Sequence, residues 1–321
     1  MFCVPTKARA QEREGAVKAR AECVVEVSSR RILHAENASL MLPNASTTKI
    51  LTALIVIEDC NLSDEVEIPA QAAGVEGSSI YLKAGEIWSV EELLYGLMLR
   101  SGNDAAVALA IHHSGSVEAF AQAMNERALM LGATDSHFCN PHGLPDAEHR
   151  TSARDLALIT AAAMENESFR TIVSTRYYAP RGFYNKNKFL SSYEGACGVK
   201  TGYTMQAGRC LVSAAERDKM LLVCVVLDCA PMYERSEKLL NDAFSCYQLT
   251  LLADKDKGFN GFSIDRDFSY PLTREECEKV RIQSSLLEKL PSNAGAVAGQ
   301  MQIYLANDLL FSQNLYIMEE K

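Results

Sequence analysis

Apolar and polar positions alternate over residues 22–36 ("ECVVEV", "SSR", "RILHA") on either side of a short polar turn, the pattern of a β-hairpin. The next stretch, "ILTALIVI" at 50–57, is apolar all round and predicts a helix buried on every side. After acidic loops to about Gly85, Ser89 and Glu92 form a capping box that opens a helix over "SVEELLYGLMLR", which stops at Ser101-Gly102-Asn103. A second helix begins at once with "DAAVALAIHH", and a third runs from Ser116 to just before Gly132. Ser152, with Asp155 one turn on, caps a fourth, "SARDLALITAAAMENE".

From about Cys197 the period changes from helical to strand-like. "ACGVKTG", "GRCLVSAAE" and "MLLVCVVLD" read as three strands, the last apolar enough to be buried on both faces, with Arg217-Asp218 as the tight connection between the second and third. A helix from about Tyr233 closes this domain near residue 252. A small β-rich domain over 258–321 follows a Lys/Asp/Gly linker. This order contains no β-α-β alternation, so the expected class is α+β: an antiparallel sheet flanked by helices at 22–252, with a C-terminal β-rich appendage.

Composition narrows the function classes. With 48% hydrophobic and 23% charged residues, the 321-residue chain has the make-up of a globular protein with a real core. A net charge of −9, without basic runs, argues against nucleic acid as a partner. No segment approaches the roughly 20 apolar residues of a membrane span. Residues 1–21 include Ala8-Arg9-Ala10, a cleavage pattern behind a short apolar stub, and read either as the remnant of a signal peptide or as an ordinary polar terminus. The ten cysteines are scattered singly and none forms C-x-x-C, so they decide neither compartment nor chemistry.

Three short motifs could carry chemistry. Ser46 and Lys49 share one face at the start of the apolar helix, where free N–H groups and the helix dipole favour negative charge. A lysine partly desolvated there has a lowered pKa and can act as a base toward the hydroxyl. Ser101-Gly102-Asn103 lies between two helices, where a loop can present a hydroxyl and a carboxamide together. Lys200-Thr201-Gly202 ends a strand; Gly202 permits close approach of another backbone, and an edge strand there can pair with an extended peptide. Taken singly, each has a bland reading: S-x-x-K occurs about once by chance in a chain this long, Gly after a helix is a common cap, and Lys200 could simply be solvated. All three in this order should coincide by chance on the order of once in several hundred chains or fewer.

The set S-x-x-K, S-G-N and K-T-G resembles that of the penicillin-binding proteins. The flanks "STTKILTAL", "LMLRSGNDAAVALA", "NPHGL", "NKNKFL" and "GVKTGYT" are similar to those of the low-molecular-mass serine D-alanyl-D-alanine carboxypeptidases, over roughly residues 22 to 250. The resemblance implies a β-lactamase/transpeptidase-like fold. It also implies removal of the terminal D-Ala from peptidoglycan pentapeptides through an acyl-enzyme, no cofactor or metal, β-lactams as inhibitors, and an extracytoplasmic location. By position it makes Ser46 the nucleophile, Lys49 its general base and Ser101 a proton relay to the leaving amine. Lys200 would hold positive potential across the cleft, and Asn103 would bind the substrate's peptide group. Lys200 and Thr201 of the K-T-G strand, with Gly202 and Tyr203, would meet the substrate, Arg235 assisting at its terminal carboxylate. The backbone N–H groups of Ser46 and Tyr203 would form the oxyanion hole. The amphipathic anchoring helix of many relatives is not evident, which leaves membrane association open.

Two alternatives remain at this level. A class A-like β-lactamase would need a glutamate to activate the deacylating water; Glu165 and Glu167 lie in the right interval but lack the surrounding pattern, and the middle motif is S-G-N, not S-D-N. A catalytically inactive wall-binding scaffold would keep the pocket alone. His137, His142 and His149, with Asp135 and Asp146, suggest a metal site only weakly, because their spacing fits no helical ligand pair.

Overall fold

The computed structural model describes residues 18–318; the stub at 1–17, with its signal-like pattern and Cys3, lies outside them. Strands β1 (Ala21–Glu26) and β2 (Ile32–Glu36) form the expected hairpin. Strands β3 (Ala196–Thr204), β4 (Gly208–Arg217) and β5 (Met220–Leu227) are the three read from the change of period. Together they make one antiparallel sheet in the order β2-β1-β5-β4-β3, which leaves β3 at an edge. The β4–β5 turn is one residue later than expected: Asp218 and Lys219 both take positive φ (48° and 65°), as in the tight hairpin turns that match strand twist.

Period-two burial distributes β5 between two cores. Leu221, Val223, Val225 and Leu227 face the main helical layer, while Met220, Leu222, Cys224 and Val226 face helix α7 (Met232–Cys246) on the other side. The continuous apolar run of β5 therefore records burial on both faces.

The helical layer is built around α1 (Lys49–Asp59), which follows a single 3-10 turn at Ala45–Thr48. Helices α3 (Asn103–Ser114), α4 (Val117–Met130), α5 (Ala153–Glu165) and α6 (Glu167–Ser174) all contact it, and residues 49–56 are at most 2% exposed. Helix α2 (Val90–Tyr95) carries the expected capping box of Ser89 and Glu92. Ser152 caps α5 by accepting from the Asp155 N–H at 3.1 Å. Asp155 does not complete a box, because its carboxylate turns to the Asp135 N–H (2.6 Å) and the Ser136 hydroxyl (2.8 Å).

Helix α7 ends at Cys246, short of the expected 252. Residues 248–253 form β6 (Gln248–Ala253), which pairs with β7 (Phe268–Leu272), so the expected linker falls in the connection between two paired strands. The C-terminal residues form a further four-stranded antiparallel sheet, as β-rich as the alternating pattern implied. Among the described residues no helix is long and apolar enough to cross a membrane. The described cysteines are all free thiols; Cys23, Cys210, Cys224 and Cys229 are buried, and Cys197 packs against the main core.

Candidate active site

The S-x-x-K residues sit where the central helix meets the edge strand. A Cβ on Gly202 would lie 3.0 Å from the Asn44 carbonyl oxygen and 3.2 Å from the backbone nitrogens of Ser46 and Thr47. Only glycine lets β3 come this close to the N-terminal turn that carries Ser46.

Lys49 is fully buried. Its Nζ lies 3.0 Å from Ser46 Oγ, 2.7 Å from Asn103 Oδ1 and 2.7 Å from the His142 carbonyl oxygen. Burial, followed by the positive charge of Lys200, lowers its pKa well below the ordinary lysine value; Asp104 pulls the other way, and Lys186 adds the smallest depression. A neutral amine has two hydrogens and one lone pair. The two carbonyl oxygens can only accept, so they take both hydrogens, and the lone pair is left for the Ser46 hydroxyl. The Asn103 amide cannot flip out of this role, because its Nδ2 donates to the Glu76 carbonyl at 2.5 Å.

The middle motif reaches the cleft through a distortion with no sequence signature. After α2 the chain widens into a π-turn at Gly96–Arg100, and Ser101 adopts a left-handed conformation (φ 65°). Such bulges cluster at functional sites, and the left-handed step re-aims the chain between two helices. Asp104 then anchors the facing segment, accepting from Ser79 Oγ (2.5 Å) and the backbone of Ile80 and Leu82.

Lys200 is 2% exposed and donates to the Thr201 carbonyl at 2.9 Å. Burial and then the nearby charge of Lys186 lower its pKa to about 7. Ser46, Ser101, Thr201, Gly202 and Tyr203 line one cleft of about 280 Å³, together with Ser78, Lys186, Arg209, Met232 and Tyr233. Lys49, Asn103 and Lys200 lie buried beside it, so the three motifs converge on one place.

Arg235 does not join them. Its Nε donates to Glu22 at 2.8 Å and its second nitrogen closes a bidentate pair with the same carboxylate, on β1. Glu22 is 1% exposed and also meets His34 at 2.8 Å. A buried carboxylate demands such partners. Burial by itself would raise its pKa, but the hydrogen bonds from His34 and Arg235 win and bring it down to about 2. Because this folded value lies below the unfolded one, the pair's stabilisation is complete above about pH 4.5 and is lost as the pH falls through about 2. Arg235→Ala is expected to destabilise the protein at pH 7 by on the order of 3 kcal/mol, read as a lower urea midpoint.

The histidines of the 137–149 region shape a loop. His149 Nδ1 accepts from the Cys139 N–H (3.1 Å) and its Nε2 meets Thr48 Oγ1 (2.8 Å), while His142 Nδ1 accepts from the Leu144 N–H (3.2 Å). Burial pushes His142 down to about 3 and His149 to about 4, so both are neutral at pH 7. The loop they hold supplies the His142 carbonyl to Lys49 and the Pro141 carbonyl to Thr52 (2.7 Å).

Sequence reasoning assigned no role to Lys186, Arg209, Ser78 or Asp104. Lys186 stands in "NKNKFL" and Asp104 directly follows S-G-N, so both lay beside recognised stretches; Arg209 carried no signal at all.

A family model described as D-alanyl-D-alanine carboxypeptidase, peptidase S11, matches residues 6–230. The chain is 36% identical over 250 residues to the D-alanyl-D-alanine carboxypeptidase DacF of Bacillus subtilis, covering 73% of this chain and 64%, less than two thirds, of that protein. It is 30% identical over 340 residues to DacC of Escherichia coli, a D-alanyl-D-alanine carboxypeptidase, covering 94% of this chain and 84% of that protein. Among solved structures, penicillin binding protein 5 of Haemophilus influenzae superposes with a TM-score of 0.77 at 28% identity, over 95% of this chain and 98% of that one.

Proposed function

The chain belongs to the D-alanyl-D-alanine carboxypeptidase family of serine peptidases, and from that premise we propose that it removes the terminal D-alanine from peptidoglycan pentapeptides, outside the cytoplasmic membrane, by acyl transfer through Ser46. The observation that carries this reading is the Lys49 amine, fully buried and 3.0 Å from Ser46 Oγ, with its two hydrogens committed to Asn103 and the His142 carbonyl.

In the proposed cycle Lys49 takes the Ser46 proton as Oγ attacks the carbonyl between the two D-alanines. The oxyanion forms at the helix N-terminus, facing the N–H groups of Ser46 and Tyr203. Ser101 passes a proton to the departing amine, and D-Ala leaves. Thr201 and Lys200 hold its carboxylate, and Asn103 orients the peptide group. Water then cleaves the ester, with Lys49 again serving as base.

The arrangement speaks against the β-lactamase alternative. Glu165 is ion-paired to Arg30 at 2.6 Å, Glu167 lies at the start of α6, and no carboxylate is among the residues that line the cleft. Penicillin should therefore acylate Ser46 and leave slowly. The intact Ser46–Lys49 pair likewise disfavours an inactive scaffold. The decisive assay is release of D-Ala from a synthetic pentapeptide, with the mass of the penicillin adduct measured alongside. Rapid turnover of penicillin, or folded protein that neither releases D-Ala nor is acylated, would overturn the proposal.

A further inference from the structure

Of the two cations lining the cleft that have no task in the proposed cycle, Lys186 donates to Ser78 Oγ at 3.4 Å, which leaves Arg209. Arg209 lines the cleft from β4, is exposed, and its guanidinium makes no hydrogen bond or ion pair with any described residue. Its register partner across the sheet is Tyr203, two residues beyond Thr201 on the edge strand. Asp228, which packs against the neighbouring Gly208, reaches toward Arg20 at 3.9 Å instead. An arginine left unpaired at the mouth of a site without carboxylates is a receptor for an anion that arrives with the substrate.

The fold says which part of the substrate passes Arg209. A peptide extending β3 can use only its open half. At the other end a Cβ on Gly198 would lie 2.9 Å from the Val173 side chain of α6, and Val199 is 1% exposed, whereas Tyr203 is 65% and Met205 96% exposed. With the terminal carboxylate at Thr201, the residues upstream must run along β3 toward Tyr203, antiparallel to it. At about 3.4 Å per residue, two positions bring the residue that precedes the D-Ala pair level with Tyr203 and Arg209.

We propose that Arg209 forms a second carboxylate subsite, selecting substrates whose residue immediately before D-Ala-D-Ala carries a free side-chain carboxylate. The inference rests on the carboxypeptidase reading and adds to it a preference about the stem.

The test uses the full chain and two pentapeptides that differ only in that side chain, carboxylate in one and carboxamide in the other. The wild type should favour the carboxylate peptide by about tenfold or more in kcat/KM, chiefly through KM. In Arg209→Gln the ratio should collapse toward one, and Arg209→Lys should restore part of it; thermal melting confirms that both variants are folded. A wild-type ratio near one, or a preference that persists in Arg209→Gln, would overturn the subsite. So would an Arg209→Gln variant that instead loses discrimination between a free and an amidated C-terminus, because Arg209 would then serve the terminal carboxylate. Release of D-Ala from neither peptide by the wild type would bring down the carboxypeptidase reading, and the subsite with it.

Discussion

Lys49→Ala is expected to slow acylation of Ser46 by penicillin by at least about a thousandfold while native circular dichroism is retained. The reason is positional. Asn103 and the His142 carbonyl take up the amine's two hydrogens, which leaves its lone pair facing Ser46 Oγ at 3.0 Å. The role requires neutrality, which has a pH consequence. As the pH falls through the lowered pKa of Lys49 the amine gains a proton and the base is lost, so acylation has an acid limb. Lys186 adds to the depression of that pKa, and Lys186→Gln should raise it and move the limb to higher pH. Stopped-flow acylation across pH in the two proteins measures this. A limb that stays put, or near-normal acylation in Lys49→Ala, would remove Lys49 from the base role.

Gly143→Ala should combine the largest loss of stability with a loss of activity. Gly143 has φ +83°, and an added Cβ would fall 1.9 Å from the Ala45 carbonyl oxygen and 2.8 Å from Thr48 Oγ1. Either the 140–144 loop or the turn that carries Ser46 must move. A clash with backbone at a left-handed position is expected to destabilise by on the order of 3 kcal/mol or more. The shift also displaces the His142 carbonyl from Lys49, so acylation should fall by about tenfold or more. Gly132→Ala is the matched control, with φ +78° and nothing within 4 Å of the added Cβ; it should lower stability by only about 1 kcal/mol. Urea midpoints of the two variants decide the matter, and equal midpoints would refute the account.

Much of the architecture was readable because its causes are local. The all-round apolar run of 50–57, the capping box at Ser89 and the doubly buried run of β5 each state their environment within a few residues. Local pattern also misled. "QLTLL" extends the apolar pattern of α7, yet its burial is decided by pairing with Phe268–Leu272, some twenty residues further on. Arg235 stood at a plausible distance after K-T-G, but its partner is a carboxylate 213 positions earlier in the chain.

The chemistry of the site was set by residue identity: a serine, a lysine and an asparagine on recognisable stretches, and a glycine that permits contact. Whether those groups work together was decided by tertiary structure. The approach of Gly202 to the helix start and the loop carbonyl that occupies Lys49 both arise from contacts between distant segments. Desolvation separates the two levels. A lysine in an extended chain is a cation wherever it stands, and only the packing of α1 against its neighbours and the close approach of β3 take away the water that keeps it charged.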